Sequence, residues 1–197
     1  MEAREKQGCS RVRNDLFDRN EGFDLGRPRA VFAIWYLVKC ALFLSALPWP
    51  SRLKTWLLRL FGAEVGRGVY WKPRVNIHIP WNLKLGDYTW VGEEVNIINF
   101  APVVVGAHCC LSQRSMLCSG NHDYRSADMR YRHAPIVIED GVWIGAAAFV
   151  GPGVTIGTDA VISAMSVVSQ SVEGGMVCAV QPCKPVRRRW SNDPPAA

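Results

Sequence analysis

Residues 138–168 carry a beat that neither a helix nor an ordinary strand produces. Ile138, Ile144, Val150, Ile156, Ile162 and Val168 follow one another at intervals of six, with Gly145, Gly151 and Gly157 directly behind three of them. Four residues after each of the first five come Val142, Ala148, Val154, Ala160 and Ser166, all small or β-branched. A helix repeats at about 3.6 residues and a strand at about 2. A period of six belongs to a parallel β-helix built from hexapeptides. Each unit is then a short strand on one side of a triangular coil, with the branched residue inside and the compact one at the corner. Glycine in such a coil allows unusual backbone angles and close approach of neighbouring chains.

The beat is audible upstream in a less regular form. Val65, Trp71 and Ile77 keep step, and after Leu83 the register slips by two residues to Leu85, Val91, Ile97 and Val103. A second two-residue slip restarts it at Val105, Leu111 and Leu117. Slips of this size enlarge a corner and leave the coil axis intact. Between Gly120 and Pro135 the period is absent, which marks residues 120–135 as a loop extruded from the coil. After Val172 the repeat ends, and Pro182, Pro185, Pro194 and Pro195 mark an irregular C-terminal segment. The chain therefore divides into an N-terminal arm and helical segment (1–64), a β-helix (65–172) and a C-terminal segment (173–197). The flat faces of a three-sided coil tend to pack on copies of themselves, and closed rotational symmetry predicts a homotrimer.

Ahead of the coil, residues 1 to about 25 are polar and aperiodic, as expected of a loose arm. Residues 30–47 are apolar apart from Lys39 and Ser45, short of the roughly twenty residues a bilayer span needs, and the central lysine also opposes spanning. Pro48 and Pro50 close this run, and Ser51 is placed to cap a second helix that stops at Gly62. Leu53, Trp56, Leu57 and Leu60 read as its apolar face, with Arg52, Lys54 and Arg59 elsewhere. Residues 30–61 fit either peripheral contact with an anionic membrane or a cap over the open end of the solenoid.

The formal charge of +6 gathers near the two ends, at Arg4, Lys6, Arg11 and Arg13 and again at Lys184 and Arg187–Arg189. No zinc knuckle, RNA-binding signature or helix-turn-helix accompanies it, so nucleic acid is not an expected partner. Seven cysteines without a C-x-x-C pair indicate a reducing cytoplasm rather than a disulfide framework. The first 29 residues lack the plan of a secretory signal, and a cytoplasmic location follows, with peripheral placement at the membrane face if the helices bind lipid.

The extruded loop opens with Gly120-Asn121-His122-Asp123. A histidine at the root of a loop leaving a rigid wall suits a general base. His133, among Arg130, Tyr131 and Arg132 at the far end, reads as solvated, and His108 has no assigned role.

These features together resemble the hexapeptide-repeat acyltransferases. The resemblance rests on the repeats, on Gly120-Asn121-His122-Asp123, on Pro135-Ile136-Val137-Ile138, on Val142-Trp143-Ile144-Gly145 and on Pro152-Gly153-Val154-Thr155-Ile156-Gly157. Within that family the chain is most similar to the O-acetyltransferases of colanic-acid and exopolysaccharide biosynthesis, relatives of the maltose and galactoside acetyltransferases. The resemblance implies a left-handed parallel β-helix, a departure from the usual right-handed crossover. It also implies a trimer with sites between subunits, acetyl-CoA as donor, a free or lipid-linked saccharide as acceptor, and no metal. His122 then matches the catalytic histidine, and Asn99 a residue contacting the acceptor. Trp143, Ala146 and Ala164 match positions along the cofactor channel, and Lys184 and Arg187 match basic residues that meet the CoA phosphates. The chain departs from the family pattern at Ser169-Gln170, where relatives place Thr-Lys, and at Val180-Gln181-Pro182, where they place Gly-Asn-Pro; Arg188 and Arg189 are candidates to compensate. Two alternatives are a γ-carbonic-anhydrase-like metalloenzyme, which needs three converging histidines, and a non-catalytic β-helix scaffold.

Overall fold

A computed structural model describes residues 11–18 and 21–190, and the short strands in it stack into three parallel walls. The first wall runs through Glu64–Val65, Leu83–Leu85, Val103–Val105, Ile136–Ile138 and Thr155–Ile156. The second holds Tyr70–Trp71, Trp90–Val91, Cys110–Leu111, Trp143–Ile144 and Val161–Ile162, and the third Asn76–Ile77, Asn96–Ile98, Met116–Cys118, Phe149–Val150 and Val167–Val168. Successive strands of the chain visit the walls in turn, which is the three-sided coil expected, and it fits the left-handed β-helix.

Register explains the slips in the beat. Val137 pairs with Thr155 and Trp143 with Val161, the spacing of three hexapeptides, whereas Glu64 pairs with Lys84 and Asn76 with Asn96, two residues wider. The first wide corner contains a 3-10 turn at Pro80–Asn82. The whole loop is absorbed at one corner, since Val104 pairs directly with Val137 and the walls close again beyond it.

The six beat residues from Ile138 to Val168 are completely buried, and their partners Val142, Ala148, Val154, Ala160 and Ser166 are buried at the corners. Each such Ile or Val contributes roughly 1.5–3 kcal/mol relative to exposure. Of the two roles expected of the repeat glycines, Gly145 serves close approach and not an unusual backbone angle. Gly145 does not adopt a positive φ; a Cβ there would lie 2.5 Å from the Ala164 nitrogen and 2.7 Å from the Ile162 oxygen. Close approach of coils is what excludes a side chain at this position. The left-handed backbone falls two residues later, on Ala147 at φ 55°, a geometry that costs a non-glycine residue of order 1 kcal/mol.

Two helices close the N-terminal end, α1 at Arg29–Val38 and α2 at Ser51–Leu60. The apolar run does not continue as helix to residue 47: a π-helical turn at Lys39–Phe43 ends it. Trp35, Phe43 and Leu58 enter the same core as the coil, and the Trp35 Nε1 donates to Ile77 O at 3.1 Å. Ser51 does not cap α2, because Pro50 occupies that position; its hydroxyl instead accepts from Trp71 N at 3.0 Å. The face of α2 is also turned from expectation, with Lys54 and Leu58 buried and Trp56 and Leu60 exposed. Buried Lys54 donates to Lys72 O at 2.9 Å and lies 5.8 Å from the centre of the Phe43 ring, and burial lowers its pKa.

Two further expectations are corrected. The C-terminal segment is not irregular at its start: Met176–Ala179 extends the second wall and pairs antiparallel with Lys184–Arg188. Residues 11–24, where described, are not a loose arm. Arg13 N donates to Ala127 O at 2.8 Å, and Phe17 and Phe23 pack on the loop. Arg4, Lys6, Pro194 and Pro195 lie outside the described residues.

Candidate active site

The loop leaves the third wall after Cys118 and returns to the first at Ile136, and its two limbs pair with each other. Asp123 N donates to Arg130 O and Arg132 N to Asn121 O, both at 2.8 Å, with His122 bridging antiparallel to Tyr131. At the tip Ser126 bonds Asp128, which also pairs with Arg130 at 3.0 Å. The Ser126 hydroxyl and then the Arg130 guanidinium hold the Asp128 carboxyl down at about 2. These local bonds give an exposed loop a fixed shape.

That shape aims the candidate base. The His122 Nδ1 lies 2.5 Å from the carbonyl oxygen of Met129, and its backbone N–H donates to Asn121 Oδ1 at 2.8 Å. A carbonyl can only accept, so Nδ1 carries a proton, and in the neutral ring the lone pair is on Nε2. The orienting group is a main-chain carbonyl held at a left-handed residue, Met129 with φ 49°. The neighbouring carboxylate Asp123 is occupied instead by Arg125, at 3.1 Å from its backbone nitrogen.

Aromatic rings surround this histidine on the protein side. Tyr131 and Phe17 stand 5.1 and 5.4 Å from it, centroid to centroid. Beyond them lie Phe23, Phe100 and His133, the last stacked on Phe100 at 5.0 Å. His133 is therefore not solvated. Burial lowers its pKa, with His122 adding to the effect, and its Nδ1 accepts from Asn121 N at 3.2 Å. His78 joins the cluster through Phe100 at 4.7 Å, and burial, with the nearby Lys39 charge, pushes it down to about 4.

Asn99 is not available to an acceptor. It is completely buried, and its amide clamps Ile79, accepting from the nitrogen at 2.8 Å and donating to the oxygen at 2.6 Å. The wide corner at Pro80–Asn82 leaves Ile79 without coil partners, and the Asn99 side chain supplies them.

The remaining candidates share another edge. Trp143 is half-exposed on the second wall, its Nε1 donating to Ser112 Oγ at 2.8 Å. Ala146 and Ala164 follow at the corner between the second and third walls on successive coils, where Met165 N donates to Ala146 O at 2.8 Å. Lys184, Arg187 and Arg188 project from the exposed last strand of the second wall and make no ion pair among the described residues. Arg189 is committed elsewhere, to Gly141 O at 2.8 Å and Asp159 O at 3.1 Å, so only Arg188 is left to offset the missing lysine. Within one chain the structure brings Trp143, Ala146, Ala164 and the basic strand together, and places His122 on a different edge of the prism. Among the described residues no three potential metal ligands cluster.

Comparison with known proteins agrees with this fold. The sequence model for the bacterial transferase hexapeptide (six repeats) matches residues 135–170. The chain is 40% identical over 160 residues, 81% of its length and 88% of the relative's, to WcaF of Escherichia coli (strain K12), whose name assigns it to colanic acid biosynthesis as an acetyltransferase. The chain belongs to the hexapeptide-repeat acetyltransferases. It is also 29% identical over 141 residues to the galactoside O-acetyltransferase of Escherichia coli (strain K12), covering 70% of this chain and 69% of that one. Among solved structures it is similar to a hexapeptide-repeat acetyltransferase of Vibrio cholerae complexed with acetyl-CoA, at a TM-score of 0.75 and 25% identity over 83% of this chain and 89% of that one. As a member of this family the chain is an acyltransferase.

Sequence reasoning had no access to Met129, Phe17, Phe23 or the role of Phe100. Their contacts join segments with no periodic relation, and the Met129 contribution is a main-chain atom that any residue could supply.

Proposed function

We propose that this enzyme transfers an acetyl group from acetyl-CoA to a hydroxyl of a saccharide, with His122 as general base and direct transfer in a ternary complex. The observation that carries the reading is the exposed His122 residue, its ring fixed at Nδ1 by the Met129 carbonyl. Acetyl-CoA, when bound, supplies an electrophilic thioester carbonyl. The neutral imidazole takes the hydroxyl proton at Nε2 as the acceptor oxygen attacks, and Met129 O stabilises the imidazolium so formed. The oxyanion that develops needs a donor, for which a backbone N–H of a neighbouring coil is suited; its collapse breaks the C–S bond, and CoA leaves as the thiol with the proton returned from Nε2. Holding both substrates together removes much of the encounter entropy from the barrier.

An acyl-enzyme route has little support from the thiols. Burial pushes both Cys109 and Cys178 up to about 11, and raises Cys110 and Cys183 too, which disfavours thiolate. The unpaired cations of the last strand suit the CoA phosphates. Since His122 and that cation-bearing edge are separate in one chain, a homotrimer that sets one subunit's His122 edge against its neighbour's second wall accounts for both. The likeness to WcaF favours an exopolysaccharide precursor, free or lipid-linked, as acceptor. His122→Ala is expected to lose about 10²–10⁴ of turnover in a free-thiol assay while keeping its melting temperature. Full turnover in that variant would remove the proposal.

A further inference from the structure

The first helix is built inside out. On α1 and its continuation the buried positions are Trp35, Lys39 and Phe43, so a lysine sits in the protein-facing stripe. The exposed stripe is Ala30, Ala33, Ile34, Leu37, Ala41 and Leu44, spaced at three, four and seven, with Cys40 among them and no charge at all. Leu37 is 70% and Ile34 56% exposed. A helix facing water carries its polar residues outward; this one carries its charge inward, at a cost in desolvation that lowers the Lys39 pKa. The second helix repeats the inversion, burying Lys54 and exposing Trp56 and Leu60.

Charge decides what covers this face. Between Asp24 and Glu64 the sequence has no acidic residue and six cations. Three of them, Arg27, Arg29 and Arg52, are exposed at the starts of the helices. A symmetric contact with a second copy brings these like charges together, whereas an anionic bilayer neutralises them and accepts the apolar stripe. Among the described residues no helix is long and apolar enough to cross a membrane, which leaves a position along the surface as the one open to this segment on a bilayer. We infer that α1 docks this enzyme on an anionic lipid surface, its stripe of Ile34, Leu37 and Leu44 inserted among the acyl chains and its arginines at the headgroups.

Docking there has a consequence for the site. Phe32 of α1 meets His78 at 5.6 Å, His78 meets Phe100 at 4.7 Å, Phe100 meets His133 at 5.0 Å, and His133 leads through Tyr131 to His122. This unbroken run of rings ties the docking helix to the catalytic loop. Resting on the transfer reading above, it presents the loop to a saccharide carried on a lipid, close to the membrane plane.

The test is flotation of the full-length protein with vesicles of phosphatidylcholine alone and of phosphatidylcholine with phosphatidylglycerol, without acetyl-CoA, so that its outcome is separate from that of the transfer reading. The protein is expected to float with the anionic vesicles only, less so in high salt, and Ile34→Asp/Leu37→Asp to lower the bound fraction about tenfold with an unchanged melting temperature. Leu37→Asp alone, at the most exposed position, serves if the double variant misfolds. Absence of flotation in the parent protein, or undiminished flotation in the variants, overturns the inference. A fall in oligomer mass on Leu37→Asp, with no vesicle binding by the parent, would show that a second copy covers the face instead.

Discussion

The coil from Ile136 to Val168 and the loop of residues 119–135 adjoin in sequence and are held by different forces. In the coil every strand bonds its neighbours above and below, as Phe149 N does to Ser166 O at 2.8 Å, and side chains of one type fill one interior column. In the loop the bonds run between its own limbs, and the packing comes from Phe17, Phe23, Phe100 and Tyr131, drawn from three separate parts of the chain. A periodic core is stable because each layer templates the next. A loop braced by single contacts can hold one side chain in one direction without altering the layers. On the proposed reading, stability and chemistry thereby fall to different residues.

The sharpest way to break that division is to compare Ile144→Ala with His122→Ala. Ile144 is fully buried between two coils, and its truncation is expected to remove about 3 kcal/mol of stability by transfer and cavity terms. Thermal unfolding should register this, with turnover per folded molecule unchanged at low temperature. Turnover falling with stability intact would mean that the coil itself takes part in the chemistry.

A second test uses pH. His78 is held near 4 in the folded protein, against about 6.5 for an unfolded histidine. Above about pH 6.5 both states are neutral and His78 adds no pH dependence. As pH falls towards 4 the unfolded chain gains a proton that the folded one refuses, so stability drops, and the loss saturates below the folded value. The ring is partly open to water, so the loss is discounted to about 2 kcal/mol. His78→Phe should flatten the curve of unfolding free energy over that window; a slope unchanged from the parent would assign the effect to other groups, with His133 the first to examine.

Asn99 sharpens the boundary between the regions. Asn99→Ala leaves the buried Ile79 nitrogen without its partner, while the Ile79 oxygen keeps the Asn82 nitrogen at 3.2 Å, at a cost of about 1.5 kcal/mol. Denaturant unfolding should show it, with the KM for the saccharide unchanged. A KM effect exceeding the stability effect would restore Asn99 to the acceptor site.

The same contrast explains what the sequence could reveal. Ile138 to Val168 announced both the coil and its buried face, because one geometric rule repeats there. His122 was legible through its position at the point where the rule lapses. The α2 face was misread, since Leu53, Trp56 and Leu60 satisfy a helical period whichever way the helix turns; Trp71, whose Nε1 bonds Thr55 at 3.0 Å, and Lys72, whose carbonyl receives Lys54, decide the direction from the coil side. Asn99 matches an acceptor-contacting position by resemblance, and no local pattern reports that the corner at residues 80–82 leaves Ile79 in need of a partner.

The smallest effect separates the two edges of the prism. Lys184 stands on the exposed last strand, away from the His122 edge, in a family whose Vibrio cholerae member has been solved with acetyl-CoA. If Lys184 meets a CoA phosphate, Lys184→Ala removes one screened ion pair of about 0.7 kcal/mol, so the KM for acetyl-CoA should rise about threefold with turnover constant. The difference between parent and variant should shrink as salt is added, because screening removes from the parent the attraction that the variant already lacks. A loss of turnover at saturating acetyl-CoA would instead couple this strand to the proton transfer proposed at His122. The two edges would then have to be treated as one mechanical unit.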